Sequence, residues 1–137
     1  MYNELIEVPL IIKYPKNIKI NVSQGYQSLV DLSYLIKNAV DNNFVDITNE
    51  KAFSESWSYQ IVKNNLIKEK DKGIYGIPRK AIYKKGYKLV VNKFGNIEEF
   101  LYKGKEIKPE DNKDALNDLL NELEIFKGTE KFVVRKN

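Results

Sequence analysis

The segment Arg79-Lys80-Ala81-Ile82-Tyr83-Lys84-Lys85-Gly86-Tyr87-Lys88 interleaves cations with aromatic rings, a pattern suited to single-stranded nucleic acid. There the rings stack on bases while the ammonium groups meet the phosphate backbone. Two plainer readings compete with it. The lysines can face water on one side of a strand while Tyr83 and Tyr87 pack inward. The acids of the segment 110–126 can also cancel the positive field, since Glu110, Asp111, Asp114, Asp118, Glu122 and Glu124 stand there against Lys113 alone. The chain has no histidine and no cysteine among its 137 residues. A side chain titrating near neutral pH is therefore missing, as are the thiolate nucleophile and the strongest ligands for zinc, copper and iron.

What remains for catalysis is carboxylate and lysine chemistry. Glu106-Ile107-Lys108 has the acid-x-Lys spacing of a Mg²⁺-dependent phosphodiesterase centre. With the expected order helix, hairpin, helix, strand over residues 50–135, it superficially resembles the PD-(D/E)xK nuclease core. That resemblance implies a second acid on the preceding strand, where Asn92 is the nearest polar residue and no Asp or Glu occurs. Gly73-Ile74-Tyr75-Gly76 has the spacing of the G-x-x-G loop that clamps nucleic acid in KH domains. The two middle residues are apolar or aromatic where such loops carry polar ones, so a connecting loop is the better reading. Phosphate-loop and dinucleotide-binding glycine patterns are absent. The serines around Trp57 have no histidine and no Ser-x-x-Lys partner. Trp57 itself is read as a core residue spaced with Phe53 and Ile61, in preference to an interface anchor.

The elements that must carry these residues follow from periodicity. Leu5–Tyr14 and Ile18–Val22 read as an N-terminal hairpin turning at Pro15-Lys16-Asn17, with Pro9 marking an edge or bulged strand. A helix is expected from Ser28 to about Asn42, buried through Leu29, Leu32, Ile36, Ala39 and Val40. Phe53–Ile61 fits both a strand and a helix, and its charged continuation favours a helix from about Asn49 to Lys70. Tyr87–Phe94 and Ile97–Tyr102 flank Gly95-Asn96, which predicts a two-residue hairpin turn. That register sets Lys93 opposite Glu98 and Val91 opposite Phe100, with Tyr87, Leu89, Val91, Phe100 and Tyr102 on the core face. A last helix opens at Pro109-Glu110-Asp111, buries Ala115, Leu116, Leu119, Leu120, Leu123 and Phe126, and stops at Gly128. Lys131–Arg135 reads as a closing strand.

The expected architecture is α+β: a single compact domain over residues 1–137. Its antiparallel sheet comes from the N-terminal hairpin and a central hairpin at about 81–107, packed against two or three helices. Net charge is +4 but uneven, with twelve Lys/Arg against five acids over residues 68–108. Lysine outnumbers arginine 21 to 2, the bias of an AT-rich coding sequence in a low-GC bacterium or its phage. No secretory signal or membrane span is read, so a cytoplasmic location is expected. The function expected from all this is a non-catalytic binding protein working through contact with an acidic or nucleic-acid-bearing protein. It would be an accessory or inhibitory factor of the anti-defence type, with no cofactor and no metal, and a homodimer is expected to be worth seeking. The expected binding residues are Arg79, Lys80, Tyr83, Lys84, Lys85, Tyr87 and Lys88. A single-stranded DNA or RNA site on the same residues is the alternative, and a Mg²⁺ nuclease a remote one.

Overall fold

The computed structural model describes residues 7–15, 18–56 and 77–126. The chain is α+β, and its contacts divide it at Ala52/Phe53 into two compact units. Trp57, the Gly73–Gly76 loop, most of the helix expected at 49–70, Gly128 and the closing strand at 131–135 lie outside the described residues.

In the first unit, β1 (Tyr26–Gln27) pairs antiparallel with β2 (Thr48–Asn49). A 3-10 turn, Leu29–Asp31, leads into α1 (Leu32–Val40). The strands can approach because position 25 is glycine: a Cβ there would sit 2.5 Å from the Asn49 carbonyl oxygen. Asp46 ties the chain just before β1 to the start of β2. Its carboxylate accepts hydrogen bonds from the Ser23 and Thr48 N–H groups at 2.8 and 2.9 Å and from the Thr48 hydroxyl at 2.6 Å. The expected N-terminal hairpin is not formed: none of the described residues between 7 and 22 is in a strand. Pro9 and Pro15 withhold ladder donors, and the apolar residues are covered only in part: Leu10, Ile12, Tyr14 and Ile20 are half-buried, while Ile11 and Val22 are 92% and 61% exposed. The helix is where the periodicity predicts, but its buried side is not. Leu35 is the buried residue, while Leu29, Ile36 and Val40 face outward.

The second unit carries a five-stranded antiparallel meander in the order β3 (Lys51–Ser56), β4 (Arg79–Lys84), β5 (Tyr87–Asn92), β6 (Ile97–Tyr102) and β7 (Lys105–Glu106). The unit boundary falls within β3. Residues 51–56 are thus strand and not the start of a helix, in line with the two-residue alternation through Phe53. A 3-10 turn at Pro109–Asp111 precedes α2 (Lys113–Ile125). The core joins Ile82, Leu89, Val91 and Phe100 of the sheet to Leu119, Leu120 and Leu123 of α2, with Ala115 and Leu116 packed beside them. These are the helix positions the i, i+3, i+4 pattern predicts. Phe126 stacks on Phe53 with ring centroids 4.5 Å apart.

The β5–β6 register differs from the two-residue turn. Leu89 pairs with Phe100, Val90 with Glu99 and Val91 with Ile97, so Glu98 is the extra residue of a bulge. The predicted register would have sent Glu98 to the core face beside Val91 and Phe100. The bulge replaces it there with Ile97, which packs against the core, and Lys93 is not its partner. Asn92 shapes the resulting loop. Its side-chain oxygen accepts from the Phe94 and Asn96 N–H groups at 3.0 and 3.1 Å, and its amide donates to Glu98 at 3.1 Å.

Candidate functional site

Strand periodicity sends the cations of β4 and β5 to both faces of the sheet. Lys80 and Lys84 share the α2 face with Ile82, and Arg79 and Lys88 lie on the opposite face with Ala81 and Val90. Each meets a carboxylate. The Lys84 ammonium lies 2.8 Å from Asp118 and 2.9 Å from Glu122, one helical turn apart on α2. These two hydrogen bonds, Asp118 first, raise the pKa of Lys84 against the lowering effect of burial. Lys80 is 3.8 Å from Glu55, with both side chains almost covered, and its ammonium is 5.4 Å from the Phe126 ring centroid. Arg79 bonds Glu98 through Nε and donates to the Ile77 carbonyl at 2.9 Å. Lys88 pairs with Glu99. Burial pushes the Glu99 pKa up, yet the net shift is down, and the Lys88 hydrogen bond is the largest cause in that direction.

Long side chains make this possible. Lysine buries its methylene stem and keeps its charge against a partner, which is how Lys80 and Lys88 reach 4% and 7% exposure. The tyrosines pack as well. Tyr87 sits on the α2 face with its ring 6.2 Å from Phe100 and 4.6 Å from Tyr102. Tyr83 is half-buried with the Lys88 ammonium 5.9 Å from its ring. Lys85 alone among the expected cations is exposed and makes no ion pair among the described residues. The structure therefore brings Arg79, Lys80, Lys84 and Lys88 into internal pairs and leaves Lys85 at a turn.

Glu106 is exposed in β7, and Lys108 is exposed beyond it. Asn92, the nearest polar residue on the preceding strand, has its carboxamide engaged by the β5–β6 loop and Glu98. Among the described residues no three Asp or Glu side chains converge in a way that could hold a metal ion. No helix among them is long and apolar enough to cross a membrane.

Two features escaped sequence reasoning. The outward side of α1 and the turn before it present Leu29, Val30, Tyr34, Ile36 and Val40, each at least 57% exposed. Ile36 and Val40 stand at i and i+4 of α1 and so share one face. The second is Lys103-Gly104, which repeats the Lys85-Gly86 dipeptide in the next turn but one of the meander, between β6 and β7; that repetition was readable in the sequence. Comparison with protein-family models, with curated proteins and with solved structures returns no match.

Proposed function

We propose that the chain is a non-catalytic protein acting by contact with another protein, in an accessory or inhibitory role, and that α1 carries the contact. The observation supporting this reading is the exposed pair Ile36 and Val40 on α1, with Leu29 and Val30 exposed in the turn that leads into it. A single exposed leucine is unremarkable, but Ile36 and Val40 lie side by side on one short helix, with Leu29 and Val30 exposed in its entry turn. Burying one such side chain in a partner is worth about 1.5–3 kcal/mol. Three or four would offset much of the freedom lost on association. The charge pattern agrees, because four cations of the β4–β5 run already engage carboxylates of their own fold.

The test is site-specific photocrosslinking in cells of the source organism. A photoreactive residue at Ile36 is expected to capture one discrete protein, whether a second copy of the chain or another species. The same group at exposed Lys113 serves as control. Equal, diffuse labelling from both positions would overturn the assignment of α1.

A further inference from the structure

We infer that the turn end of the meander binds single-stranded nucleic acid, with Tyr102 as the stacking surface for a base and Lys85, Lys103 and Lys105 as contacts for the phosphate backbone. This is a second activity, carried by other residues than the α1 contact. The ladder sets one row of side chains across the α2 face of the sheet, because Lys84 pairs with Tyr87, Tyr87 with Tyr102 and Tyr102 with Lys105. Exposure rises along that row. Lys84 is held against Asp118 and Glu122 of α2, Tyr87 is half-buried, Tyr102 is 37% exposed and Lys105 is exposed. The row thus leaves the cover of the helix at a tyrosine ring.

That ring is braced from within the protein. The Tyr87 ring lies 4.6 Å from it, and the Phe100 ring stacks on Tyr87 at 6.2 Å. The Gly86 backbone also lies against it, since a Cβ there would stand 3.6 Å from Cε2 of Tyr102. Both adjoining turns are of type I′, with Lys85 and Gly86 at φ 52° and 82° and Lys103 and Gly104 at 48° and 77°. The Lys103 N–H donates to the Gly86 carbonyl at 2.8 Å and joins the two turns. A ring held this way loses little freedom when a base stacks on it. The Lys103 ammonium is 5.3 Å from the ring centroid, but an exposed cation–π contact is weak and the flexible stem lets the charge turn to a phosphate.

Charge alone does not mark the site. Lys93, Lys108 and Lys113 are exposed too, and like Lys85, Lys103 and Lys105 they form no ion pair among the described residues. What sets the turn end apart is the braced ring among its cations. Lys93 has the Phe94 ring 5.1 Å away, yet no second ring backs Phe94 among the described residues. An acidic peptide would use the ammonium groups and leave the ring idle. A nucleotide strand carries a charge and a π face at every step, and so uses both.

The experiment titrates the full chain with oligothymidylate and, separately, with a short poly-glutamate peptide, following backbone amides by NMR and affinity by anisotropy of labelled probes. Oligothymidylate is expected to shift the amides of residues 85–87 and 102–105, and to bind more tightly than poly-glutamate at equal salt. Tyr102→Leu should weaken oligothymidylate binding about tenfold and leave poly-glutamate unaffected, while Tyr102→Phe should bind as wild type does. Lys85→Gln/Lys103→Gln/Lys105→Gln should flatten the slope of log K against log salt by about 2, at about 0.7 per phosphate contacted. Lys93→Gln/Lys108→Gln/Lys113→Gln should leave that slope unchanged. The unshifted amides of each variant report its fold. Equal losses from the two triple variants, an unchanged affinity in Tyr102→Leu, or tighter binding of poly-glutamate at the same amides would overturn the inference. So would the absence of oligothymidylate binding at roughly 0.05 M salt. Ile36→Asp should leave this titration unchanged, so its outcome is separable from that of the α1 contact.

Discussion

Replacing Lys84 by methionine, with Lys85→Met as its neighbour control, separates a structural cation from a solvated one. Lys84 has 12% of its side chain exposed and holds Asp118 and Glu122 at 2.8 and 2.9 Å. A hydrogen bond to a charged group is worth about 1.5–3 kcal/mol. Asp118 is 52% exposed and recovers most of its hydration when the lysine goes, so its share is small. Glu122, 18% exposed, is left beside the core without a counter-charge. The expected loss is about 2 kcal/mol for Lys84→Met, against less than about 0.5 kcal/mol for Lys85→Met. In urea, with a slope of about 2 kcal/mol per molar, the midpoint should fall by about 1 M for the first and hardly move for the second. The pH dependence has a definite sign. Because the folded pKa of Lys84 lies above its ordinary 10.5, its stabilisation is fully present below that value and lost as pH rises through the folded pKa. The stability gap between wild type and Lys84→Met should therefore stay constant from neutral pH to about 10 and narrow above it. Equal midpoints for the two variants would refute the internal pairing.

Asn92→Ala removes two acceptor bonds to the β5–β6 loop and the amide donated to Glu98, and should destabilise the second unit by about 2–3 kcal/mol in chemical denaturation. Asn92→Asp keeps both acceptor bonds but faces Glu98 with a like charge, so its deficit relative to wild type should grow as pH rises through the carboxylate range. Hydrogen bonds from Thr48 and Ser23 lower the Asp46 pKa to about 2, and its carboxyl carbon should titrate near that pH by NMR. Its depressed pKa means these bonds support the first unit above the ordinary carboxylate range and are lost as pH falls towards 2; a midpoint near 4 would count against them. Gly25→Ala should open the β1–β2 ladder, because its methyl would lie 2.5 Å from the Asn49 oxygen, and amide exchange at Gln27 and Asn49 should quicken.

The parts of the fold legible in the sequence are those where one physical requirement dominated. Leu116, Leu119, Leu120 and Leu123 repeat at helical spacing on an otherwise acidic segment, so α2 and its buried side follow directly. Alternation from Tyr87 to Tyr102 likewise placed two strands and their core face. The register escaped because Gly95-Asn96 satisfies a two-residue turn locally, while keeping Glu98 out of the core requires a bulge. In α1, Leu32, Leu35, Ile36, Ala39 and Val40 surround much of the helix, and periodicity cannot say which of them is buried within its own unit. The N-terminal runs had strand-like alternation without a partner for their ladders. The site was legible as a charged segment and not as a surface. Whether a lysine ends in water or against a carboxylate depends on partners up to 38 residues away, as with Lys84 and Glu122.

The contact through α1 is tested most directly by sedimentation of the fluorescently labelled protein, at trace concentration, in nuclease-treated extract of the source organism. Wild type is expected to sediment faster than the isolated chain, and Ile36→Asp/Val40→Asp at the rate of the isolated chain while retaining its fold by circular dichroism. Sedimentation of the wild type as a lone chain, or an equally fast boundary for the double variant, would contradict the account.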